Sequence, residues 1–351
     1  MSSFFRDMVK QIGDPDTHIA ADGENSSEFS GTVDTGSYIL NAALSGSIFG
    51  GVPNNKITTF AGESATGKTF FVMGIVKQFL DDHPDAAVFY YDTEAAVTKS
   101  MMEQRGIDVN RVIIAEPETI QKFRHHALQV VENYSQHSDP PPMMMVLDSL
   151  GQLSTTKEIE DTAAGNETRD MTKAQVLKAT FRVLGLKLAK INVPLLVTNH
   201  VYDVVGSYIP TKEMSGGSGL KYVSSTVVYL TKKKEKDGTE VVGNIVKARM
   251  HKSRFTKENK DVQVLVSHTK GLDRYYGLLD LAEKYGIFKK VSTRYEMPDG
   301  SKVFGKQIMK EPTKYFTEDI LKLLDNAAQQ EYMYGNEIEE AEMEHDEVHA
   351  D

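Results

Sequence analysis

The sequence contains no cysteine, and none of its apolar runs is long. Without cysteine the chain can form neither a disulfide framework nor a thiolate metal site, which fits a cytosolic protein. The longest apolar runs are too short to cross a bilayer, and the N-terminal residues lack the basic start and long apolar stretch of a signal peptide. We therefore expect a cytoplasmic protein with no membrane partner.

The acidic residues are unevenly distributed along the chain. The 351 residues carry a formal net charge of −10, and eight of the acidic residues lie in 336–351, where there is no Lys or Arg. The rest of the chain is nearly neutral, so the net charge does not exclude a nucleic-acid partner. Acidic runs of this kind are mostly solvated and disordered. The alternative is a tail that competes with DNA for basic loops.

One glycine-rich stretch predicts a nucleotide site. It lies between a β-branched run, 56–61, and an apolar run, 70–80. A strand, a glycine loop and a helix in this order place backbone N–H groups and a helix N-terminus around a phosphate. In such a loop Lys68 reaches the β- and γ-phosphates of ATP, and Thr69 ligates Mg²⁺. The candidate nucleotide-binding residues here are Gly62, Glu63, Ser64, Ala65, Thr66, Gly67, Lys68, Thr69 and Phe70.

Alternating strand and helix patterns predict an α/β fold with a mainly parallel sheet and helices on both faces. Three later strands should extend this sheet in mostly antiparallel fashion. The expected strands cover 56–61, 87–92, 112–115, 143–148, 194–199, 225–231, 244–251 and 261–267, and the expected helices cover 70–80, 98–106, 120–136 and 171–190.

The chain divides into four predicted regions. An apolar helix and a polar linker in 1–31 suit docking on a neighbouring subunit, although a helix folded back on its own core is an equal alternative. The core, 32–270, is followed by a small α+β region, 271–335, with two short helices around a Pro-Asp-Gly turn. The acidic tail, 336–351, is expected to be disordered.

Polar residues follow several of the predicted parallel strands, where open α/β sheets bind their ligands. Glu94 follows the second strand and is the candidate to orient and deprotonate an attacking water. Asp148 closes the fourth strand; it suits Mg²⁺ held through a water, or else it caps a helix. Asn199 and His200 end the fifth strand. His200 could sense the γ-phosphate, although a single histidine is more often structural.

Two segments between predicted elements are longer than a compact domain usually needs. Glycines, aromatic residues and a few cations suit single-stranded nucleic acid, but they suit a substrate lid equally well. The candidate DNA-binding residues are Lys157 and Arg169 in 154–170, and Tyr202, Tyr208, Lys212, Gly216 and Gly217 in 201–218.

Two groups of cations lie on the later strands. Lys247 and Arg249 are two residues apart, hence on one face, and could stabilise a transferring phosphate in their own or a neighbouring subunit. Four further lysines are placed at a hairpin tip, where the favoured interpretation is a solvated edge that discourages aggregation. They are Lys232, Lys233, Lys234 and Lys236.

Taken in order, these motifs resemble those of the RecA-type recombinases, most closely the branch carried by large tailed phages. The resemblance runs from about residue 31 to 267. The matching stretches are Thr35-Gly36-Ser37, the glycine-rich loop, Tyr91-Asp92-Thr93-Glu94, Val146-Leu147-Asp148-Ser149, Thr198-Asn199-His200 and Gly216-Gly217-Ser218-Gly219.

The resemblance implies a RecA-like P-loop ATPase core, with an N-terminal oligomerisation helix and a small α+β C-terminal region. The implied function is ATP- and Mg²⁺-dependent DNA strand exchange, in the host cytoplasm if the chain is phage-encoded. The implied partners are single-stranded DNA, a homologous duplex, further copies of the chain in a helical filament, a single-strand-binding protein and a loading mediator.

The resemblance also implies roles for single residues. Glu94 is similar to the catalytic glutamate, and Asn199 with His200 lies where the family senses ATP. The segments after Asp148 and His200 resemble the two DNA-binding loops. Lys247 and Arg249 match a cation pair that reaches the ATP of the adjacent subunit.

Two other functions stay open at this point. A ring-forming helicase could use the same ATPase core, although Asn199-His200 and the glycines that follow favour the recombinase. A non-catalytic DNA-binding scaffold is the third possibility. The intact set of Lys68, Thr69, Glu94 and Asp148 argues against it.

Overall fold

The computed structural model describes residues 3–14, 17–19, 31–166, 170–203, 212–215, 218–237, 240–267 and 271–335. The helices in these ranges are α1 (Ser3–Ile12), α2 (Tyr38–Ser45), α3 (Lys68–Asp82), α4 (Lys99–Glu103), α5 (Ile120–Ser135), α6 (Thr156–Ala163), α7 (Lys173–Lys190), α8 (Ser218–Val223), α9 (Leu278–Lys284), α10 (Gly305–Lys310), α11 (Pro312–Tyr315) and α12 (Glu318–Tyr332). The strands are β1 (Thr32–Val33), β2 (Val52–Pro53), β3 (Ile57–Gly62), β4 (Ala87–Asp92), β5 (Val112–Ala115), β6 (Met143–Asp148), β7 (Leu195–Asp203), β8 (Lys212–Met214), β9 (Thr226–Asp237), β10 (Glu240–Ser253), β11 (Asp261–Ser267), β12 (Gly271–Leu272), β13 (Lys289–Val291), β14 (Arg294–Glu296) and β15 (Lys302–Phe304).

One large sheet forms the centre of the fold. Its strand order is β12-β11-β10-β9-β3-β7-β6-β4-β5, and β8 pairs with the end of β7. The strands from β9 to β5 in this order run parallel, and β10, β11 and β12 continue the sheet antiparallel. The predicted α/β class is therefore confirmed. Because β3, β4 and β6 run parallel, their carboxyl ends meet at one edge of the sheet.

Apolar side chains cover both faces of this sheet. On one face α3 buries Phe71, Val72 and Ile75 against the strands. On the other face α5 and α7 bury Phe123 and Phe181. Each such side chain contributes roughly 1.5–3 kcal/mol on leaving water, so burial on two faces holds the strand ends in fixed positions.

The C-terminal region contains a three-stranded sheet and four helices. Strands β13, β14 and β15 form an antiparallel meander, with Gly300 in the turn between the last two. Helices α9 and α10 flank it as expected, and the longer α12 packs on α2 and α9. One apolar cluster includes Phe288 and Leu324 from this region together with Leu40 and Phe71 from the core. The division between core and C-terminal region stays a prediction.

Helix α1 presents apolar side chains to solvent within the described chain. Phe4, Phe5, Met8 and Ile12 are each between 42% and 62% exposed. Docking of this helix on a neighbouring subunit stays a prediction. None of the helices in the described ranges has the length and apolar character that would let it span a bilayer.

The two expected long loops contain a helix and a strand among the residues that the structure describes. Segment 154–170 contains α6, which starts with a capping box: the Thr155 hydroxyl accepts from the Glu158 N–H, and Glu158 accepts from the Thr155 N–H. That reciprocal cap stabilises a short polar helix. In segment 201–218, β7 continues to Asp203 and pairs antiparallel with β8, which covers Lys212–Met214. The described parts of the two segments, which were predicted to be long loops, therefore include a helix and a strand.

One carboxylate holds α12 against the core. Glu331, whose side chain is 12% exposed, accepts hydrogen bonds from Lys260 Nζ at 2.9 Å, the Tyr285 hydroxyl at 2.9 Å and Lys284 Nζ. Burial alone would raise the pKa of this carboxyl, but the three donors lower it to about 2. Glu331 therefore joins α12 to α9 and to the residue before β11.

Replacing Glu331 by glutamine should destabilise the fold at neutral pH. The pKa falls from 4.5 to about 2, and at about 1.4 kcal/mol per unit we expect a loss of about 3–4 kcal/mol. The folded pKa lies below the unfolded one, so this stabilisation is present above about pH 4.5 and is lost as the pH falls towards 2. Urea unfolding of parent and variant should differ at neutral pH and converge on acidification.

The control for this change is Glu318→Gln on the same helix. Glu318 forms an exposed ion pair with Lys322, and exposed pairs contribute little, so this variant should unfold as the parent does. A stability difference between parent and Glu331→Gln that grows as the pH falls would contradict the role of Glu331.

Candidate active site

The loop between β3 and α3 has the geometry that a phosphate group requires. Gly67 has a left-handed conformation, with φ of 88°, directly before α3. No side chain caps this helix, so its first N–H groups are left for another acceptor. A Cβ on Gly62 would lie 2.8 Å from the Leu230 carbonyl oxygen and 2.8 Å from the Thr66 hydroxyl. Open backbone donors and two such glycines fit the phosphates of a nucleotide.

Lys68 lies buried inside this loop, with 7% of its surface exposed. Its Nζ donates to the carbonyl oxygens of Gly62, at 3.0 Å, and Glu63, at 2.9 Å. Burial lowers the pKa of Lys68, and the charges of Glu94 and Asp148 oppose that shift. The strand ends therefore bring both carboxylates near the lysine, as the sequence predicts. Phosphate oxygens can replace the two carbonyls as partners of Nζ.

Glu94 lies in the turn after β4, and hydrogen bonds fix that turn from two sides. Asp92 accepts from the N–H groups of Glu94, at 3.0 Å, and Val97, at 2.9 Å. The Thr93 hydroxyl donates to the Ser149 carbonyl at 2.7 Å and accepts from the Ser149 N–H at 2.8 Å. The Ser149 hydroxyl donates to Glu94 Oε1 at 2.6 Å. The ends of β4 and β6 are thus joined around the glutamate.

His200 connects Glu94 to Lys68. Its Nε2 lies 3.1 Å from Glu94 Oε1, and its Nδ1 lies 3.4 Å from Lys68 Nζ. Because an ammonium group only donates and a carboxylate only accepts, the neutral ring accepts at Nδ1 and carries its proton on Nε2. The three side chains form one hydrogen-bonded chain from the phosphate loop to the candidate base.

The environment of Glu94 keeps it ionised. Burial acts to raise the pKa of Glu94, but hydrogen bonds from Ser149 and His200, together with the charge of Lys68, lower it below its usual value. An ionised carboxylate can hold a water molecule by accepting its hydrogen bond. Its strength as a base depends on how many of these contacts persist when nucleotide binds.

Asp148 is 3% exposed at the end of β6 and is held by two hydroxyl groups. The Tyr90 hydroxyl donates to Oδ2 at 2.8 Å, and the Thr198 hydroxyl donates to Oδ1. Burial and the charge of Asp148 raise the pKa of Tyr90, so its phenol stays a donor. Tyr90 was not among the sequence candidates, because a tyrosine in an apolar strand has the pattern of an ordinary core residue.

Thr69 and Asp148 are the candidate Mg²⁺ ligands. Among the residues that the structure describes, no three His, Cys, Asp or Glu side chains converge on a metal position. Mg²⁺ bound with a nucleotide takes one or two protein groups and fills its remaining positions with phosphate and water oxygens. A hydroxyl and one buried carboxylate fit that requirement. The metal role of these two residues stays a prediction.

Two of the expected nucleotide contacts have other neighbours in the structure. Asn199 is buried; its amide donates to the Ser215 carbonyl at 2.9 Å, and its oxygen accepts from the His200 N–H at 2.9 Å. It therefore supports the β7–β8 hairpin, while His200 contacts the phosphate loop. Phe70 is 40% exposed beneath the Arg105 guanidinium, which lies 4.0 Å from its ring centre. Nucleotide contact by Asn199 and Phe70 stays a prediction.

Lys247 and Arg249 lie exposed on the same face of β10, as their spacing predicts. Lys247 Nζ is 2.7 Å from Asp261 Oδ2, and Arg249 Nη2 donates to Asn259 Oδ1 at 3.2 Å. Strand β9 separates them from β3 and its phosphate loop. Their role towards the ATP of a neighbouring subunit stays a prediction.

Three of the candidate DNA-binding residues lie in the described ranges. Lys157 is exposed on α6. Tyr202, 59% exposed, ends β7 with its ring centre 6.4 Å from that of His200. Lys212 forms an ion pair with Glu63 of the phosphate loop. The other four candidates lie outside the described residues: Arg169, Tyr208, Gly216 and Gly217.

Lys232 contacts the phosphate loop, which corrects its interpretation as a solvated edge. Its Nζ donates to the Ala65 carbonyl. The reason lies in the sheet register, because Leu230 pairs with Gly62 and the next residues of β9 therefore run beside the loop. The spacing of lysines along the chain could not show this, since it depends on which strand pairs with β3.

Comparisons with known proteins agree with this geometry. The family model for the RecA N-terminal domain matches residues 4–273. The recombination and repair protein of Enterobacteria phage T4 is 31% identical over 252 residues, which are 72% of this chain and 63% of that protein. The RecA protein of Chloroherpeton thalassium is 28% identical over 284 residues, 79% of this chain and 75% of that protein. The RadB recombinase crystal structure superposes with a TM-score of 0.51 at 21% identity, covering 69% of this chain and 99% of that one.

These matches differ in what they support. The likeness to RadB shows the shared fold. The matched part of the phage protein is just under two thirds of its length, and it confirms the expected similarity to the recombination proteins of tailed phages. The family model covers more than half of the chain. It includes every parallel strand of the large sheet and none of the strands of the C-terminal meander. The chain therefore belongs to the RecA family.

Proposed function

We propose that this chain is an ATP-dependent DNA strand-exchange recombinase, which assembles as a helical filament on single-stranded DNA and pairs that strand with a homologous duplex. The observation that supports this most directly is the chain of contacts from Lys68 through His200 to Glu94. His200 lies on β7, which leads into the hairpin that carries the DNA-binding candidates. The candidate nucleotide sensor His200 and the candidate DNA contact Tyr202 thus share one strand.

The protein groups around the phosphate loop divide the work of ATP hydrolysis. Lys68 exchanges its bonds to the Gly62 and Glu63 carbonyls for bonds to the β- and γ-phosphates. Glu94 holds the attacking water and accepts its proton as the water oxygen bonds to the γ-phosphorus, while the bond from that phosphorus to the β,γ-bridging oxygen breaks and ADP leaves. His200 donates from Nε2, so it can turn from Glu94 to a γ-phosphate oxygen and report whether that phosphate is present.

This exchange of partners strengthens Glu94 as a base. In the structure His200 and Lys68 lower the pKa of Glu94. Once the lysine and histidine have turned to the phosphates, those contacts weaken and the pKa of Glu94 rises. Glu94 then becomes a strong enough base to activate the water only when a γ-phosphate is bound, so water is not deprotonated in the absence of ATP.

Thr69 and Asp148 would hold Mg²⁺, which would supply positive charge to the phosphates of ATP. Tyr90 and Thr198 orient the Asp148 carboxylate for this task. Lys247 and Arg249 would complete the site from a neighbouring subunit, so that hydrolysis depends on assembly. A single-strand-binding protein and a loading mediator are the further partners in this proposal.

Electron microscopy tests the assembly directly. With single-stranded DNA and a non-hydrolysable ATP analogue, negative-stain images should show open helical filaments along the DNA. Omission of the nucleotide should reduce the filament length, because ATP holds the DNA-bound state in this proposal. Closed rings under the same conditions would contradict the recombinase and favour a helicase that threads DNA through its centre.

A further inference from the structure

The phosphate loop is bonded to the hairpin that carries DNA-binding candidates. The Lys212 ammonium on β8 forms an ion pair with the Glu63 carboxylate. The contact lies at the surface, with 37% of the lysine side chain and 57% of the glutamate side chain exposed. Hydrogen bonding to Lys212 and its charge lower the pKa of Glu63, and the same bond raises the pKa of Lys212.

Glu63 carries two contacts that respond to different ligands. Its backbone carbonyl accepts from Lys68 Nζ and from the Thr66 hydroxyl, each at 2.9 Å, and its side chain binds Lys212. A triphosphate draws Lys68 away from that carbonyl. A DNA phosphate attracts Lys212 with the same kind of charge that the Glu63 carboxylate presents. One residue of the loop is therefore linked to both binding events.

We propose that Glu63 is an internal competitor of DNA: in the nucleotide-free protein its carboxylate holds Lys212 on the phosphate loop, and nucleotide binding releases this lysine to the DNA backbone. This inference rests on the proposed function, because it assigns the Lys212 partner in the same DNA complex. It adds a residue that sets how strongly DNA binding depends on ATP.

The competition between Glu63 and DNA for Lys212 should lower DNA affinity in the absence of nucleotide. A DNA phosphate that binds Lys212 must first break the ion pair, so the pair lowers DNA affinity when no nucleotide is present. When a triphosphate withdraws Lys68 from the Glu63 carbonyl, that carbonyl keeps the Thr66 hydroxyl, at 2.9 Å, as a donor but loses its charged one, so residue 63 can shift and the pair weakens. ATP and DNA then favour each other, and by linkage each must raise the affinity of the other by the same factor.

The β7–β8 pairing explains why Lys212 can reach the loop. Lys212 pairs with Asp203, and Val201 pairs with Met214, so the hairpin continues past His200 above the end of β3. A second cation, Lys232, approaches the same loop and donates to the Ala65 carbonyl. Because it bonds to backbone, its contact does not depend on a carboxylate. Of these two lysines, Lys212 is therefore the one whose contact with the loop involves a carboxylate, and Asp203 is a further negative charge beside it.

The test compares Glu63→Gln with the parent by fluorescence anisotropy of a labelled oligo-dT, with and without a non-hydrolysable ATP analogue. Exposed ion pairs are weak, so without nucleotide we expect about a two- to fivefold gain in DNA affinity per bound subunit, multiplied where several subunits bind one strand. The stimulation of DNA binding by the analogue should fall by the same factor. The matched control is Glu318→Gln, which removes the same charge from an ion pair with Lys322 on α12 and should bind as the parent does.

Lys212→Gln separates this mechanism from a general charge effect. If Lys212 is the shared partner, Glu63→Gln should no longer raise DNA affinity once Lys212 has been replaced, which is a non-additive double-mutant cycle. Equal gains in both backgrounds would overturn the proposal, and so would a loss of DNA affinity in Glu63→Gln alone. A parent protein that fails to bind DNA would instead overturn the proposed function, so the two failures are distinguishable.

Discussion

Replacing Glu94 by glutamine should lower the rate of ATP turnover by about 10²- to 10⁴-fold, the contribution that a positioned general base usually makes. Nucleotide-dependent DNA binding should persist. The amide oxygen of glutamine can still accept from the Ser149 hydroxyl and from His200 Nε2, the two bonds that Glu94 Oε1 accepts in the structure. The change therefore removes the proton acceptor and keeps the link from the phosphate loop to β7.

Two measurements are needed for this variant. Phosphate release with saturating single-stranded DNA reports turnover, and anisotropy of a labelled oligonucleotide reports binding. Turnover equal to that of the parent would rule out Glu94 as the base. Loss of turnover together with loss of DNA binding would show that Glu94 acts mainly by holding the strand ends together. A parent without DNA-stimulated turnover would favour the non-catalytic scaffold.

The fold was predictable from the sequence where apolar strands end abruptly in polar residues. Strands β4, β5 and β6 have the predicted bounds, because each is a short apolar run closed by Asp, Ala-Glu or Asp-Ser. Helix α6 was missed because it is short and its apolar residues, Ile159 and Ala163, are not buried, although Thr155 and Glu158 carry the spacing of a capping box. Periodicity depends on one apolar face, and α6 has no buried residue to supply one.

The candidate active site was predictable in part, because polar residues that follow parallel strands meet at one edge of the sheet. Lys68, Glu94 and Asp148 were predicted to lie together because they follow parallel strands, and in the structure both carboxylates are close enough to oppose the lowering of the Lys68 pKa by burial. His200 was the strand-end candidate that the sequence supported least, because a single histidine is more often structural. In the structure its ring lies between Lys68 and Glu94 and connects them. Its importance comes from alternation along β7, which turns Asn199 towards Ser215 and His200 towards Lys68. No composition or spacing rule distinguishes the two neighbours.

The contacts of Lys212 and Lys232 could not be derived from the chain alone. Both depend on long-range pairing: β8 with the end of β7, and β9 with β3. A lysine in a polar segment fits a solvated surface, a DNA contact or an ion pair equally well by composition. Only the register brings these two within reach of Glu63 and Ala65.

Replacing Lys68 by alanine should make DNA binding independent of nucleotide. The alanine variant loses charge-assisted bonds to the phosphates, worth about 1.5–3 kcal/mol, so the affinity for an ATP analogue should fall by about 10- to 100-fold. The His200 ring also loses the cation beside its Nδ1. Anisotropy of a labelled oligonucleotide with and without the analogue should then give the same curve.

Lys68→Arg separates charge from shape in this prediction. Arginine keeps the positive charge, but its planar guanidinium needs more space than the ammonium that fits between the Gly62 and Glu63 carbonyls. We expect the arginine variant to bind the analogue more tightly than the alanine variant does. The analogue should nevertheless stimulate DNA binding by the arginine variant only weakly, because the larger guanidinium would change the geometry of residue 63. If Lys68→Ala kept full stimulation by nucleotide, the signal from ATP to DNA would have to bypass both the Lys68–His200 contact and Glu63. The proposed coupling would then be wrong even if Glu94 were the catalytic base.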